Sequence, residues 1–315
     1  MIAPGGDAAL LRIPGSDKGV AVCVDCNPVQ VGADPLHGSE AVVAETLRNL
    51  ACVGAEPIGA SDCLNFGNPE KPEVMRQFSD SVDGISRGML ATDCPIVSGN
   101  VSFYNETDGT DILPTPMLAV VGLAPRADVS CRSGFAHAGD RIALVGNRGH
   151  GHLGASEYLR LLHGREEGGP AIVDWDAEVA AAALVRSLVI DNVLQSAHDC
   201  AEGGIGLAVA ESVVFGGRHG ARLGASITLA GDEGSDPEHL LFGEEPGRYI
   251  VSVGPQDADT LQERAQAAAV PLSWLGVVGG NHLKITVGSR QVELPVAELS
   301  TLWESGFEQA LGLNK

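Results

Sequence analysis

The sequence predicts an α+β protein built as two sheet-containing domains, and three observations carry that prediction. The first is an apolar pair of runs, Ala8 to Ile13 and Gly19 to Val24, separated by the turn Pro14-Gly15-Ser16-Asp17, which reads as a β-hairpin. The second is an alternation of strand-like and helical stretches that continues to a final helix near 296–311. The third is a loss of periodicity from about Pro125 to Gly139, which reads as a domain boundary. Domains over residues 1–125 and 138–315 follow, with mixed, partly antiparallel sheets and helices on one side in both.

After the hairpin, Asp25-Cys26-Asn27-Pro28 is a loop, and from Ser39 the pattern turns helical until Gly54, with Val43, Leu47 and Leu50 in one stripe. Glu45 and Asn49, four apart, lie side by side at the flank of that stripe, where the plain reading is a solvated helix edge. Pro57 to Ser61 is a short strand, and Pro95 to Val101 and Met117 to Leu123 are two more. Beyond the boundary, Arg141 to Val145 is a strand that opens into the glycine-rich loop Gly146 to Gly154, which has neither the lysine of a P-loop nor the glycine spacing of a dinucleotide fingerprint. Helices follow near 156–162 and 177–192, and Ser196 to Gly204 leads into another through Ala208 and Val213. His198 and Asp199 look like an acid-base pair, but neighbours on a strand point to opposite faces, so a turn before a glycine-rich helix start is the better reading.

Composition excludes several classes. Acidic residues outnumber basic ones by 41 to 20, so the summed field repels nucleic acid and anionic lipid alike. No long apolar run suggests a membrane span, and the N-terminus lacks a secretory pattern. Seven cysteines, an odd number spread along the chain, fit a reducing cytoplasm rather than a disulfide framework. Cys23 and Cys26 form a C-x-x-C pair, but no second pair or histidine cluster completes a zinc site. There is no H-E-x-x-H.

The stretch that organises the chain is Asp62-Cys63-Leu64-Asn65-Phe66-Gly67-Asn68-Pro69-Glu70-Lys71-Pro72-Glu73. It reads as a polar, glycine-containing loop at a strand's mouth and over the start of a helix, since Val74, Phe78, Val82, Ile85 and Met89 recur at helical spacing behind Pro72. Such a helix start suits an anion, and Asp62, Asn65 and Asn68 add oxygens that a hard cation such as Mg²⁺ accepts. A structural strand-to-helix turn remains an equal alternative on pattern alone. In the second motif, Ser98, Asn100 and Ser102 would share one face of a strand and wall a ligand. Asp62, Asn65, Gly99, Asn100 and Ser102 are expected to converge, with the Asp62 carboxylate and the Asn100 amide on one face.

The run DCLNFGNPEKPEV, then Ser98-Gly99-Asn100-Val101-Ser102-Phe103-Tyr104-Asn105-Glu106-Thr107 and Ile112-Leu113-Pro114-Thr115-Pro116, resembles phosphoribosylformylglycinamidine synthase, specifically the C-terminal half of its synthetase part. The likeness continues through Leu153-Gly154-Ala155-Ser156-Glu157-Tyr158, Ser196-Ala197-His198-Asp199 and Leu241-Phe242-Gly243-Glu244. It implies the two-domain architecture of aminoimidazole ribonucleotide synthetase, whose N-terminal sheet domain pairs with a second copy and whose larger C-terminal domain follows. It also implies an ATP-dependent carbon-nitrogen ligase, with ATP and Mg²⁺ as cofactors, that turns formylglycinamide ribonucleotide and glutamine-derived ammonia into the amidine in purine biosynthesis. By that resemblance Asp62 and Gly99 are nucleotide contacts, Asn100 is a Mg²⁺ ligand and Ser102 touches the ribonucleotide.

Glu45, Asn49 and Asp199 match the metal positions of a second, structural nucleotide site in the family. Two departures stand near it: Ala201 replaces a usual serine, and Glu245-Pro246 stands where Ser-Gln is frequent. The implied partners are an N-terminal synthetase half, in the same chain or separate, and a glutaminase subunit or domain; alone, the chain is expected to homodimerise. The family's histidine general base belongs to the N-terminal half, and no counterpart of that motif occurs here, so the chain alone is expected to be inactive. A catalytically silent nucleotide-binding or assembly domain of the same superfamily is the other class of function. A thiamine-phosphate kinase or selenophosphate synthetase fits the two long motifs less well.

Overall fold

The computed structural model describes residues 6–217, 222–231 and 236–313. Its first part contains β1 (Ala9–Arg12), β2 (Gly19–Asp25), α1 (Pro28–Ala33), α2 (Pro35–Cys52), β3 (Glu56–Asn65), α3 (Pro72–Ala91), β4 (Ile96–Ser102), the short strands β5 (Glu106–Thr107) and β6 (Thr110–Asp111), and β7 (Thr115–Ala124). Five of these strands form a sheet in the order β1-β2-β7-β3-β4, in which β3 and β4 run parallel and the other pairs antiparallel. The hairpin read from the sequence is there, with Ala9 opposite Val22 and Arg12 opposite Gly19.

Period-two alternation gives this sheet two unlike faces. Leu10, Ala21, Cys23, Ala60, Leu64, Leu118 and Val120 point into a core closed by Val42, Val43 and Leu50 of α2 and Val74, Ile85 and Met89 of α3. On the other face Val20, Val22, Met117, Val121 and Leu123 are half-exposed, while Leu11 and Val24 are 55% and 53% exposed.

The second part contains β8 (Arg141–Val145), α4 (Glu157–His163), α5 (Trp175–Ile190), β9 (Leu194–Asp199), α6 (Gly204–Gly217), β10 (Ala225–Leu229), α7 (Pro237–Phe242), β11 (Tyr249–Val253), α8 (Ala258–Ala267), β12 (Leu272–Val278), β13 (His282–Val287), β14 (Arg290–Pro295) and α9 (Val296–Ala310). Its seven strands lie in the order β14-β13-β10-β12-β8-β11-β9, and only β10 and β13 pair in parallel. The expectation of helices on one side is corrected here. Ala143, Val145 and Val251 pack with Val185 and Leu188 of α5 and Leu261 of α8, whereas Ile142, Leu144 and Ile250 pack with Ile205, Val209 and Val213 of α6. Central strands buried on both sides become continuous apolar runs, as in YIVSV of β11.

Helix α2 joins the two parts. Asp34 caps it through the N–H groups of Leu36 and His37, and Pro35 occupies the first turn, so the helix starts earlier than its apolar stripe suggests. Thirteen of its 18 residues are buried because it packs into both cores at once. This packing overturns the solvated-edge reading of Glu45 and Asn49: Asn49 is buried and Glu45 is half-buried. Among the described residues no helix is long and apolar enough to cross a membrane, and all seven cysteines are free thiols.

Candidate functional site

The organising stretch begins as a strand rather than a loop. Strand β3 continues through Asp62, Cys63, Leu64 and Asn65, because β4 on one side and β7 on the other pair with each of them. The loop proper is Phe66 to Lys71, and Pro72 opens α3 as the sequence indicates. Asp111 of the β5–β6 hairpin fixes this loop by accepting from the Asn68 N–H (2.9 Å) and the Lys71 ammonium (2.7 Å). Phe66, Phe78 and Phe103 form an aromatic cluster beneath it, with centroids 5.2 to 6.5 Å apart.

The two motifs are neighbours in space. The register pairs Asp62 with Gly99, Cys63 with Asn100 and Asn65 with Ser102. A Cβ at Gly99 would overlap Asp62 Oδ1, so only glycine lets this carboxylate lie across β4. Burial raises the Asp62 pKa, and the backbone N–H of Asn100 opposes that shift. The same register corrects the expectation that the side chains share one face. Paired residues project to the same side and successive residues to opposite sides, so Asp62 and Gly99 lie on the helix-covered face and Ser61, Ser98, Asn100 and Ser102 on the other. A ligand touching both sets would straddle the free edge of β4, the outermost strand.

Asn105, which sequence reasoning assigned no role, ties the motifs together. Its amide donates to the carbonyls of Phe66 (2.9 Å) and Ser102 (3.0 Å), and the Ser102 hydroxyl donates back to its Oδ1 (3.3 Å). The Asn65 amide is spent on the Cys63 carbonyl at 2.9 Å. As a metal site the edge is incomplete: Asn100 contributes one amide oxygen, so Mg²⁺ would need phosphate oxygens or groups from another chain segment.

The second set of residues lies at the junction of the two parts, around the buried Arg48. Arg48 Nε stands 3.4 Å from Asp199 and Nη1 stands 3.2 Å from Glu178. Although burial disfavours its charge, these carboxylates hold the guanidinium protonated. Asn49 donates to Asp25 Oδ1 at 3.1 Å, and Asp25 Oδ2 is buried with no partner. Burial pushes Asp25 up to about 6 and Asp199 up to about 7, and it raises Glu45 well above its ordinary value with the help of Glu202, Asp199 and Asp25. Glu244 is pushed up to about 7 by burial despite accepting the Gly203 and Glu157 N–H groups, each at 2.9 Å.

One guanidinium against so many carboxylates leaves a deficit of positive charge, and hard oxygen donors of this kind suit Mg²⁺. Asp25 belongs to this set although nothing in the sequence pointed to it; its signal was only a polar residue at a strand's exit. Glu45, Asn49 and Asp199 do not form a closed shell. Asn49 is tied to Asp25 and Asp199 to Arg48.

Among the described residues, the group of acidic and histidine side chains whose ligand atoms lie within 4.8 Å of one another is Asp7, His198 and Asp199. The turn predicted at His198-Asp199 is instead the end of β9, because β11 pairs with both residues. Asp7 Oδ1 meets His198 Nδ1 at 2.7 Å, Asp7 Oδ2 accepts the Asp199 N–H at 3.0 Å, and Glu211 meets His198 Nε2 at 3.0 Å. Burial alone would lower the histidine pKa, but Asp7, Glu211 and Asp199 overcome it and hold His198 well above its ordinary value. Both ring nitrogens then donate, so this imidazolium clamps the N-terminal segment onto β9 rather than shuttling a proton.

Residues 5–124 match AIR synthase related protein, N-terminal domain, and residues 137–288 match the C-terminal domain of the same family. The chain belongs to this family. It is 44% identical over 98% of its length to a phosphoribosylformylglycinamidine synthase subunit PurL from Anaeromyxobacter sp. (strain Fw109-5), covering 41% of that protein. To the PurL subunit of Moorella thermoacetica it is 43% identical over 96% of its length, covering 40%. It therefore spans about two fifths of these curated relatives. Among solved structures it superposes on T. maritima PurL complexed with FGAR with a TM-score of 0.78 at 21% identity, covering 94% of this chain and 48% of that one. It also superposes on tt0281 from Thermus thermophilus, with a TM-score of 0.61 at 17% identity, covering 92% and 91%. At these identities the structural likenesses show the fold alone.

Proposed function

We propose that this AIR synthase family chain supplies the C-terminal half of a phosphoribosylformylglycinamidine synthetase, with domains meeting between about residues 125 and 138. The observation that carries this reading is the 44% identity to a PurL subunit over 98% of the chain, which includes both motifs that meet at the free edge of β4. In the proposed reaction ATP phosphorylates the amide oxygen of formylglycinamide ribonucleotide, and ammonia displaces inorganic phosphate to leave the amidine and ADP. Asp62 and the glycine backbone at Gly99 orient the nucleotide over the edge, the Ser102 hydroxyl positions the ribonucleotide, and Asn100 offers an oxygen to Mg²⁺. When bound, Mg²⁺ neutralises phosphate charge during transfer. The site needs a second wall, because a strand edge alone neither encloses a substrate nor excludes water.

That second wall is proposed to be an N-terminal synthetase half, seated on the bare face and free edge of the five-stranded sheet. A glutaminase subunit or domain would supply ammonia. Without the N-terminal half, a second copy of this chain is the proposed cover. The acidic set Asp25, Glu45, Asn49 and Asp199 is proposed as an auxiliary Mg²⁺ and nucleotide position. Retention of Asp62, Gly99, Asn100 and Ser102 along one edge weighs against a silent assembly domain.

The test is ADP release with formylglycinamide ribonucleotide, ATP, Mg²⁺ and ammonium, for the chain alone and with an N-terminal half added. Turnover is expected only in the mixture, because a missing general base typically costs about a hundred- to ten-thousand-fold. Asn100→Ala is expected to lower the restored rate at least about tenfold. Substrate-dependent turnover by the chain alone, near the reconstituted rate, would overturn the half-site reading.

A further inference from the structure

The Ser102 hydroxyl at the β4 edge can meet a ligand as a donor or as an acceptor, and its neighbour Asn105 decides which. Asn105 Nδ2 and Oδ1 lie 3.1 Å and 3.3 Å from Ser102 Oγ. Nδ2 also lies 2.9 Å from the Phe66 carbonyl and 3.0 Å from the Ser102 carbonyl. Carbonyls only accept, so the amide nitrogen must be the atom that faces them. It carries two protons, and the two nearer carbonyls take both. The Ser102 hydroxyl is left with Oδ1 as its acceptor, and its own proton points at Asn105. Backbone bonds hold Asn105 in place: its N–H donates to the Phe66 carbonyl at 3.3 Å, and its carbonyl accepts from the Ile112 N–H at 3.0 Å.

A hydroxyl that donates to Asn105 shows its lone pairs to the open edge, so it receives a donor and not a phosphate oxygen. Ser102 and Asn100 share one face of β4 and stand roughly 6.6 Å apart by strand rise. On the proposed synthetase reading, on which this step rests, Asn100 lies beside the transferred phosphoryl group, and the reacting amide of formylglycinamide ribonucleotide lies next to that group. The donor this amide carries is its N–H; the ribosyl phosphate lies at the far end of the molecule. We infer that Ser102 Oγ accepts the N–H of the reacting amide, and that Asn105 is the positioning residue that turns the hydroxyl to do so. As the amide oxygen attacks the terminal phosphorus of ATP, an O–P bond forms, the P–O bond to ADP breaks, and the nitrogen lone pair moves towards carbon. The proton stays on nitrogen in this step, but the N–H becomes more acidic and its bond to Ser102 strengthens. The contact therefore acts in the transition state more than in the bound substrate.

The experiment measures ADP release by the mixture of this chain and an N-terminal half, as kcat and KM for formylglycinamide ribonucleotide. Ser102→Ala removes one hydroxyl from a half-buried site and is expected to lower kcat at least about tenfold, while KM stays within about threefold. Asn105→Ala, checked for native circular dichroism and melting, is expected to lower kcat to a similar degree. The double variant Ser102→Ala/Asn105→Ala should be no slower than Ser102→Ala, because a residue that acts through the hydroxyl then has nothing left to position. Should Asn105→Ala lose its fold, Asn105→Ser takes its place in the same comparison. Losses that multiply in the double variant would overturn the role of Asn105, and a rise in KM with kcat unchanged would overturn the amide contact. Either result in a mixture that turns over leaves the half-site reading standing. An unsubstituted mixture without turnover would overturn that reading, and this inference with it.

Discussion

The seven-stranded sheet buries both of its faces under helices of its own chain, whereas the five-stranded sheet buries one and leaves the other to solvent. The patterning differs accordingly: β8 and β11 are apolar on both sides, whereas β2 and β7 alternate buried with half-exposed residues. A finished sheet contributes stability. An unfinished one, with Leu11, Val24 and Ile58 each more than half exposed, is the proposed association surface, and the proposed ligand edge of β4 belongs to it.

The largest expected effect tests the finished sheet. Ile250 is wholly buried at the centre of β11, so Ile250→Ala should destabilise the chain by about 2–5 kcal/mol, read from urea unfolding. A loss below about 1 kcal/mol would mean that the α6 side of this sheet is loosely packed.

Next comes the clamp between the parts. Asp7→Asn removes the charge that faces His198 Nδ1 and should cost about 2 kcal/mol at pH 6. The sign with pH follows from a folded histidine pKa above its unfolded value. The stabilisation is fully present below the unfolded pKa of about 6.5 and is lost as pH rises through the folded one. The difference between the two proteins should therefore shrink in alkaline solution. A gap that widens with pH would refute the imidazolium.

Burial, which opposes the histidine's charge, instead raises Asp25 to about 6 and Asp199 and Glu244 each to about 7. Their folded pKa values exceed unfolded ones of about 4, so stability falls as pH climbs from about 4 to 7, by up to roughly 1.4 kcal/mol per unit for each group. Mg²⁺ at the proposed auxiliary position should offset that loss. Its effect on the melting temperature should be larger at pH 8 than at pH 5, and an equal effect at both would argue against metal binding by these carboxylates.

How much of this could be read from the sequence differed between the two parts for physical reasons. Strand β8 and the N-terminal hairpin were legible because each is a short apolar run bounded by turn residues. The β4 motif was legible by its alternation, but the relation of Asn100 to Asp62 was not. That depends on the β3–β4 register, which no local pattern encodes. Helix α1 hides in six residues, PVQVGA, too few to show a period, and the β5–β6 hairpin in two-residue strands. The Arg48 centre was invisible because α2 is buried by two cores at once; from one stripe, Glu45 and Asn49 look like a wet flank. Asp7 and His198 meet across 191 positions, beyond any sequence window.

The smallest effect on stability is expected at the bare face, and it decides what that face is for. Val22 sits at its middle, opposite Ala9 on β1 and Val121 on β7. Val22→Asp places a charge where the side chain is already half in water, so it should cost the monomer about 1 kcal/mol or less, chiefly through strand propensity. The same charge in a covered interface would be desolvated without a partner and should weaken association at least about tenfold. Sedimentation of the unsubstituted chain is expected to show self-association at tens of micromolar, and the variant should remain monomeric with nearly unchanged unfolding. Addition of an N-terminal half should discriminate in the same way, binding the parent chain and releasing the variant. Equal association by both proteins would place the contact elsewhere, leaving β4 without the second wall that the proposed reaction requires.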